Sequence, residues 1–218
     1  MPTITKENYL KALYYLDQKD HDITLTELGK VMKVSKPTVN DMVKKLQSQG
    51  WIKYEKYKPL RFTEQGRKTA ALIVRKHRLA EMFLAQVMGF GWEEVHEIAE
   101  ELEHIKSDEL FDRMDELMGF PSVDPHGSPI PDKEGNLKNR NYKLLSQISE
   151  GSKVKLRALR ESSTDFLLFL NKKGIQLGME IQILQIEPFD KSMTISYDDH
   201  PEIVISEAVS KQLMVEEV

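Results

Sequence analysis

Residues 96–109 read HEIAEELEHIKSDE, and within them His96, Glu100, Glu103 and His104 recur at intervals of three and four. On a helix that spacing sets two imidazoles and two carboxylates on one stripe. An ordinary amphipathic helix uses the same stripe to bury Leu and Ile. Imidazole with carboxylate and no thiolate suits manganese, iron(II), cobalt, nickel or zinc. His77 and Glu81 stand at i, i+4 upstream, and His126 follows in DPHGSPIP, so four of the six histidines fall at 77, 96, 104 and 126, within or beside the most acidic part of the chain. A lone Glu-x-x-His usually marks a solvated helix face, and it is the clustering that favours a metal site. Carboxylates on a buried seam are expensive, and a divalent cation removes that cost. His21, in a polar loop, and His200, near a β-turn, read as surface residues.

A second chemistry lies nearer the start. Residues 1–75 carry 15 Lys+Arg against 8 Asp+Glu, a formal +7, residues 76–135 carry 5 against 15, a formal −10, and residues 136–218 carry 11 against 12. The basic third suits a polyanion and the acidic middle suits cations. In VSKPTVNDMVKKLQSQG the apolar stripe is Val34, Val39, Met42, Val43 and Leu46. That leaves Ser35, Lys36, Thr38, Asn40, Asp41, Lys44 and Lys45 facing outward, with Pro37 in the first turn. Short polar side chains at a helix N-terminus suit the DNA major groove, and the Thr38 methyl suits a thymine. Asp41 would repel phosphate and could accept only from a cytosine amino group. Lys53, Lys56, Lys58 and Arg61 follow in WIKYEKYKPLRFT, whose two-residue alternation reads as a hairpin supplying backbone contacts.

The elements that must position these residues follow in order. The periodicity predicts a helix from about Lys6 to Gln18, capped by Thr5 and burying Tyr9, Leu10, Leu13 and Leu16. A short helix opened by Thr24 or Thr26 comes next, then one from Ser35 to about Gln49, then the hairpin. That order is a winged helix-turn-helix. Long helices are predicted over about Thr63–Met88 and Trp92–Met118, broken at Gly89–Gly91. The run GFPSVDPHGSPIPDKEGNLKN reads as an irregular linker, partly ordered. Beyond residue 141, the runs KVKLRAL, EIQILQI, MTISY and EIVIS around one helix, STDFLLFLNKKG, give the pattern of a small barrel. The chain is 40% hydrophobic and 30% charged, with no cysteine and no apolar run near the roughly 20 residues that span a bilayer. The expectation is a cytoplasmic protein with no disulfide framework and no membrane partner.

TKENYLKALYYL, VSKPTVNDMVKKLQSQGWI, RKHRLAEMFL, EELEHIKSDEL and DPHGSPIP follow one another in an order that resembles the diphtheria toxin repressor family of metal-dependent transcription regulators. The resemblance implies a mainly α architecture: a winged helix-turn-helix over 1–63, a helical metal-binding and dimerisation domain with linker over 64–140, and a small all-β SH3-like barrel over 141–218. It implies a two-fold dimer that binds double-stranded operator DNA when loaded with manganese or iron. It puts the main site on Asn8, His77, Glu100, Glu103 and His104. A second site falls on Glu81 and His126, joined by Asp124, His96 and an acid of the third domain, Asp165 or Glu161. Pro37 and Thr38 match base-contacting positions. Iron-responsive relatives place Cys and Met where this chain has Glu100 and Asn8, and Glu100 is the choice of the manganese-responsive branch, so Mn2+ is favoured over Fe2+. That branch usually has Asp at Asn8. Lys11 stands where shorter manganese regulators have Glu, which argues against a two-metal main site. Ser163 and Phe166 stand at the family's third-domain Glu and Gln positions.

The expected function is a metal-activated repressor controlling metal homeostasis, not an enzyme. Two rival readings use the same residues: a metalloenzyme built on the His/Glu cluster, and a winged-helix regulator whose metal is purely structural. The chain lacks a nucleophile elbow, a Gly-rich phosphate loop and a His-Glu-x-x-His motif, which the enzyme reading would favour.

Overall fold

A computed structural model describes residues 3–18, 22–138 and 140–218, so the reading of His21 lies outside the described residues. The chain forms two compact units. One comprises Met1–Ala80, Ile98–Ser122 and Ile130–Lys138, and the other Glu81–Glu97, Val123–Pro129 and Asn139–Val218.

The first unit begins with α1 (Ile4–Asp17), α2 (Leu25–Met32) and α3 (Lys36–Ser48), followed by a hairpin of β1 (Ile52–Lys53) and β2 (Arg61–Phe62). Tyr9, Leu10, Leu13 and Leu16 are buried with Leu28, Val39, Val43, Leu46 and Leu60 in one core. The N-cap of α1 is Thr3, and Thr5 sits inside the first turn. Helix α2 opens on a reciprocal cap, Thr24 Oγ1 accepting from Glu27 N at 3.2 Å while Thr24 N donates to Glu27 Oε2 at 3.0 Å. Ser35 caps α3 by accepting from Thr38 N, and Gly50, at φ +73°, lets the chain leave it. The wing is shorter than the alternation predicts, pairing only Ile52 with Phe62 and Lys53 with Arg61. Between them Tyr57 adopts φ +68°, and Pro59 has no N–H to add to a ladder.

Helix α4 (Glu64–Gln86) follows, and the predicted helix over Trp92–Met118 is two helices, α5 (Val95–Leu102) and α6 (Asp108–Leu117). The break comes from local chemistry. Ile105 N donates back to Leu102 O at 3.0 Å, and Ser107 caps the new helix by accepting from Leu110 N at 3.3 Å. Glu103 and His104 therefore stand in the turn after α5, not on a continuous stripe. Arg75 ties α4 to α6 through the buried Asp115, 2.5 Å away.

In the second unit a six-stranded antiparallel sheet runs β3 (Lys143–Leu144), β8 (Leu213–Glu217), β4 (Lys153–Leu159), β5 (Glu180–Ile186), β6 (Met193–Tyr197), β7 (His200–Ile205). It is an open sheet and not a closed barrel, since β3 and β7 remain edges among the described residues. Helix α7 (Thr164–Lys172) puts Leu167 and Leu170 into its core, and α8 (Glu207–Ser210) precedes β8, so the region is not purely β. Bulges near Leu156, Ile183 and Ile195 add twist and curl the sheet. Among the described residues no helix is long and apolar enough to cross a membrane.

Candidate metal centre

The first cluster belongs to the first unit. His77 on α4, Glu100 on α5 and Glu103 in the following turn bring one ligand atom each within 4.8 Å of one another. His77 Nδ1 lies 2.7 Å from Glu103 Oε2, with both side chains essentially buried. Asn8, on α1, has its Oδ1 buried with no hydrogen-bond donor, and so has Glu103 its Oε1. Buried acceptors without a partner are rare, and a nearby cation would satisfy such oxygens. His104 joins them: its Nε2 is 3.7 Å from Glu103 Oε1. Its Nδ1 donates to Glu7 Oε2 at 2.6 Å. A carboxylate can only accept, so the neutral ring carries its proton on Nδ1 and turns the Nε2 lone pair toward the cluster.

Two partners here are not in the sequence reading's ligand set. Glu7 orients His104, and Lys11 puts its ammonium against Glu100 Oε1 and, at 2.8 Å, Glu103 Oε2. The two stand four residues apart on α1, on either side of Asn8.

The second cluster belongs to the second unit: Glu81, Asp124 and His126, all buried, again with ligand atoms within 4.8 Å. The DPHGS segment shapes it. Asp124 Oδ1 accepts from His126 N and Ser128 N, each at 2.9 Å, and His126 O accepts from Leu159 N on β4 at 2.9 Å. Gly127 has φ +86°, and a Cβ there would lie 2.3 Å from Arg157 O, so glycine is required. His126 Nε2 donates to Trp92 O at 2.8 Å, which leaves Nδ1 as the basic nitrogen, 4.0 Å from Glu81 Oε2. His96 is the outlying member: its Nδ1 is 3.2 Å from Glu81 Oε1, but the side chain is 56% exposed. Asp165 and Glu161 are exposed, and neither belongs to a ligand group among the described residues. Asp165 sits in the first turn of α7, where a carboxylate is favoured by the helix dipole alone.

Also in the first unit, Ser35, Lys36, Pro37 and Thr38 are exposed at the start of α3, with Asp41 and Lys44 beyond them. Ser35 Oγ and Thr38 Oγ1 are 2.9 Å apart, and Asn40 Oδ1 accepts from Tyr54 OH at 2.9 Å, so the wing steers a recognition-helix side chain. Lys36, Pro37 and Asn40 line a groove of about 770 Å³ with Tyr54, Tyr57 and Lys58. Lys58 pairs with Glu55 at 2.5 Å, and Arg61 pairs with Asp22, all of them exposed.

A winged helix-turn-helix joined to helices that carry buried His/Glu clusters defines a metal-responsive DNA-binding protein. Three domain-family models match the chain: the iron dependent repressor N-terminal DNA binding domain over residues 1–60, its metal binding and dimerisation domain over 63–132, and the FeoA domain over 143–217. The structure of ScaR with bound Zn2+ is similar at 35% identity, covering 100% of both chains with a TM-score of 0.80. The chain belongs to the diphtheria toxin repressor family of metal-dependent DNA-binding repressors. It is also similar to the iron-dependent repressor IdeR of Mycobacterium tuberculosis, at 28% identity over 98% of this chain and 97% of that protein. A manganese-dependent transcriptional repressor in complex with manganese aligns with a TM-score of 0.88, at 28% identity, over 97% of this chain and 99% of the other.

Proposed function

We propose that this protein is a homodimeric repressor of metal-homeostasis genes, activated by Mn2+ in preference to Fe2+, which grips operator DNA through α3 and the wing. The observation that carries the reading is the pair of buried acceptors without donors, Asn8 Oδ1 and Glu103 Oε1, because one lies on the DNA-binding segment and the other in the turn after α5. Asn8, His77, Glu100, Glu103 and His104 would hold the ion, which supplies the positive charge that lets α1 and that turn share one ligand set. Glu7 holds the His104 ring in register. Without that shared set the carboxylates repel and the orientation of α1 loosens, so the spacing of the two recognition helices in a dimer becomes a minor population.

Glu81, Asp124 and His126, with His96 at the margin, form an ancillary site in this reading. Ser35, Lys36, Pro37, Thr38, Asn40, Asp41 and Lys44 face the bases, and Lys58 and Arg61 face the phosphates. Functional segments 1–63, 64–140 and 141–218 correspond to DNA binding, metal binding with dimerisation, and an SH3-like module, acting in the cytoplasm. The purely nitrogen and oxygen donor set accommodates manganese as it does iron(II), and the preference for manganese draws on similarity to the manganese-dependent repressor above. Exposed Leu117 and Phe120 at the end of α6 offer apolar surface to a second copy. The test is at Asn8: Asn8→Asp should strengthen and Asn8→Ala weaken the metal-dependent DNA affinity. If both leave it untouched, α1 is not tied to the cluster through this residue.

A further inference from the structure

Asn40 on α3 is held by a residue outside its own helix. Tyr54, just after β1, donates its hydroxyl proton to Asn40 Oδ1 at 2.9 Å. Tyr54 is fixed in turn. Its backbone O accepts from Gln47 Nε2 at 3.0 Å, two turns along α3 from Asn40, and its ring packs against the first core. Asn40 and Tyr54 are both half-buried, and both line the groove that α3 shares with the wing.

An asparagine that reads adenine does so with both ends of its amide, Oδ1 accepting from N6 while Nδ2 donates to N7. That mode needs the oxygen and the nitrogen to face the base together. Here Oδ1 is turned to the wing, so the amide offers DNA its Nδ2 hydrogens alone. A base edge with acceptors only suits such a group. Guanine presents two, N7 and O6, whereas adenine sets a donor beside its N7.

We propose that Tyr54 is a positioning residue for base selection: by occupying Asn40 Oδ1 it makes Asn40 a donor, so the operator carries guanine and not adenine at the base pair Asn40 faces. The proposal rests on the reading of α3 as the helix that enters the major groove with Asn40 toward the bases. The wing then shapes sequence preference at a base it does not touch. Tyr54→Phe keeps the ring that packs on the core and frees Oδ1, which restores the bidentate mode and admits adenine.

The experiment selects duplexes from a randomised library with the full chain in MnCl2, for the parent, Asn40→Ala and Tyr54→Phe, and sequences the bound pools. The position at which Asn40→Ala loses preference is the one Asn40 reads. There the parent is expected to favour guanine over adenine by about fivefold or more, the low end of discrimination by a well-placed side chain. Tyr54→Phe is expected to move the preference at that position toward adenine and to leave the rest of the site as it was. Adenine preferred by the parent at that position, or an unshifted preference in Tyr54→Phe, would overturn the proposal. So would a Tyr54→Phe chain that binds every duplex more weakly with no change of preference, since Tyr54 would then only brace the wing. If Asn40→Ala alters no base preference and weakens all duplexes alike, Asn40 grips a phosphate, and its base-facing reading falls together with the proposal. A parent that enriches no sequence at all would instead remove the reading of α3 itself.

Discussion

Glu103 is the residue whose loss should be felt most, even with no metal present. Its side chain is fully buried, and Oε2 is shared by the Lys11 ammonium and His77 Nδ1. Replacing it with Ala leaves Lys11, itself 8% exposed, with Glu100 alone, and Glu100 is 35% exposed. A contact that open is partly screened and offsets only part of the loss. Removing one member of a well-buried pair costs about 3–5 kcal/mol, because the surviving charge stays desolvated without its partner. For a chain of this size that corresponds to a fall of roughly 6–20 °C in unfolding midpoint. The assay is thermal unfolding followed by circular dichroism in EDTA, with Glu216→Ala as control. Glu216 pairs with Arg157 at 2.9 Å on an exposed surface, where loss should cost at most about 1 kcal/mol. Combining Lys11→Met with Glu103→Leu should restore most of the stability, since neither charge is then left alone. A Glu103→Ala midpoint within 2 °C of the parent, on the same order as the control, would show that the pair is not buried in solution.

Glu7→Ala should weaken Mn2+ binding about 10–100-fold, as loss of a ligand-orienting carboxylate typically does, and calorimetry checks it; unchanged affinity would mean that His104 needs no such support. Gly127→Ala should disorder the DPHGS turn and lower occupancy of the second cluster, because the added Cβ meets Arg157 O at 2.3 Å; hydrogen exchange at the Leu159 amide, bonded to His126 O, reports it. Removing the Lys58 and Arg61 charges by substitution with Ala should weaken binding to all duplexes alike and lower the salt slope by about one unit each. A changed sequence preference with an unaltered slope would make them base readers.

The parts of this fold that rest on local chemistry are legible in the sequence. Ser35, Pro37 and Gly50 mark the limits of α3 because capping and left-handed backbone are decided within a few residues. The break between α5 and α6 escapes a periodicity reading, since no Gly or Pro interrupts Glu103–Ser107 and the turn depends on the Ser107 cap. The histidines and carboxylates announce two metal-like clusters by type and spacing. Their partners do not, since the Lys11–Glu100 and Glu7–His104 contacts join residues 89 and 97 positions apart. Asp165 shows the converse. An acid at a suitable distance in sequence is, in the structure, an exposed first-turn residue of α7.

The central claim is that metal binding and DNA binding are one linked equilibrium. Its most direct test is fluorescence anisotropy on a duplex selected from a randomised library with this chain in MnCl2, titrated with and without Mn2+ for the parent and for His104→Ala. The account predicts that Mn2+ tightens the parent roughly 5–150-fold, the range of ordinary allosteric coupling, and leaves His104→Ala unchanged. Equal affinity of the parent in MnCl2 and in EDTA, or a full response surviving in His104→Ala, would contradict it.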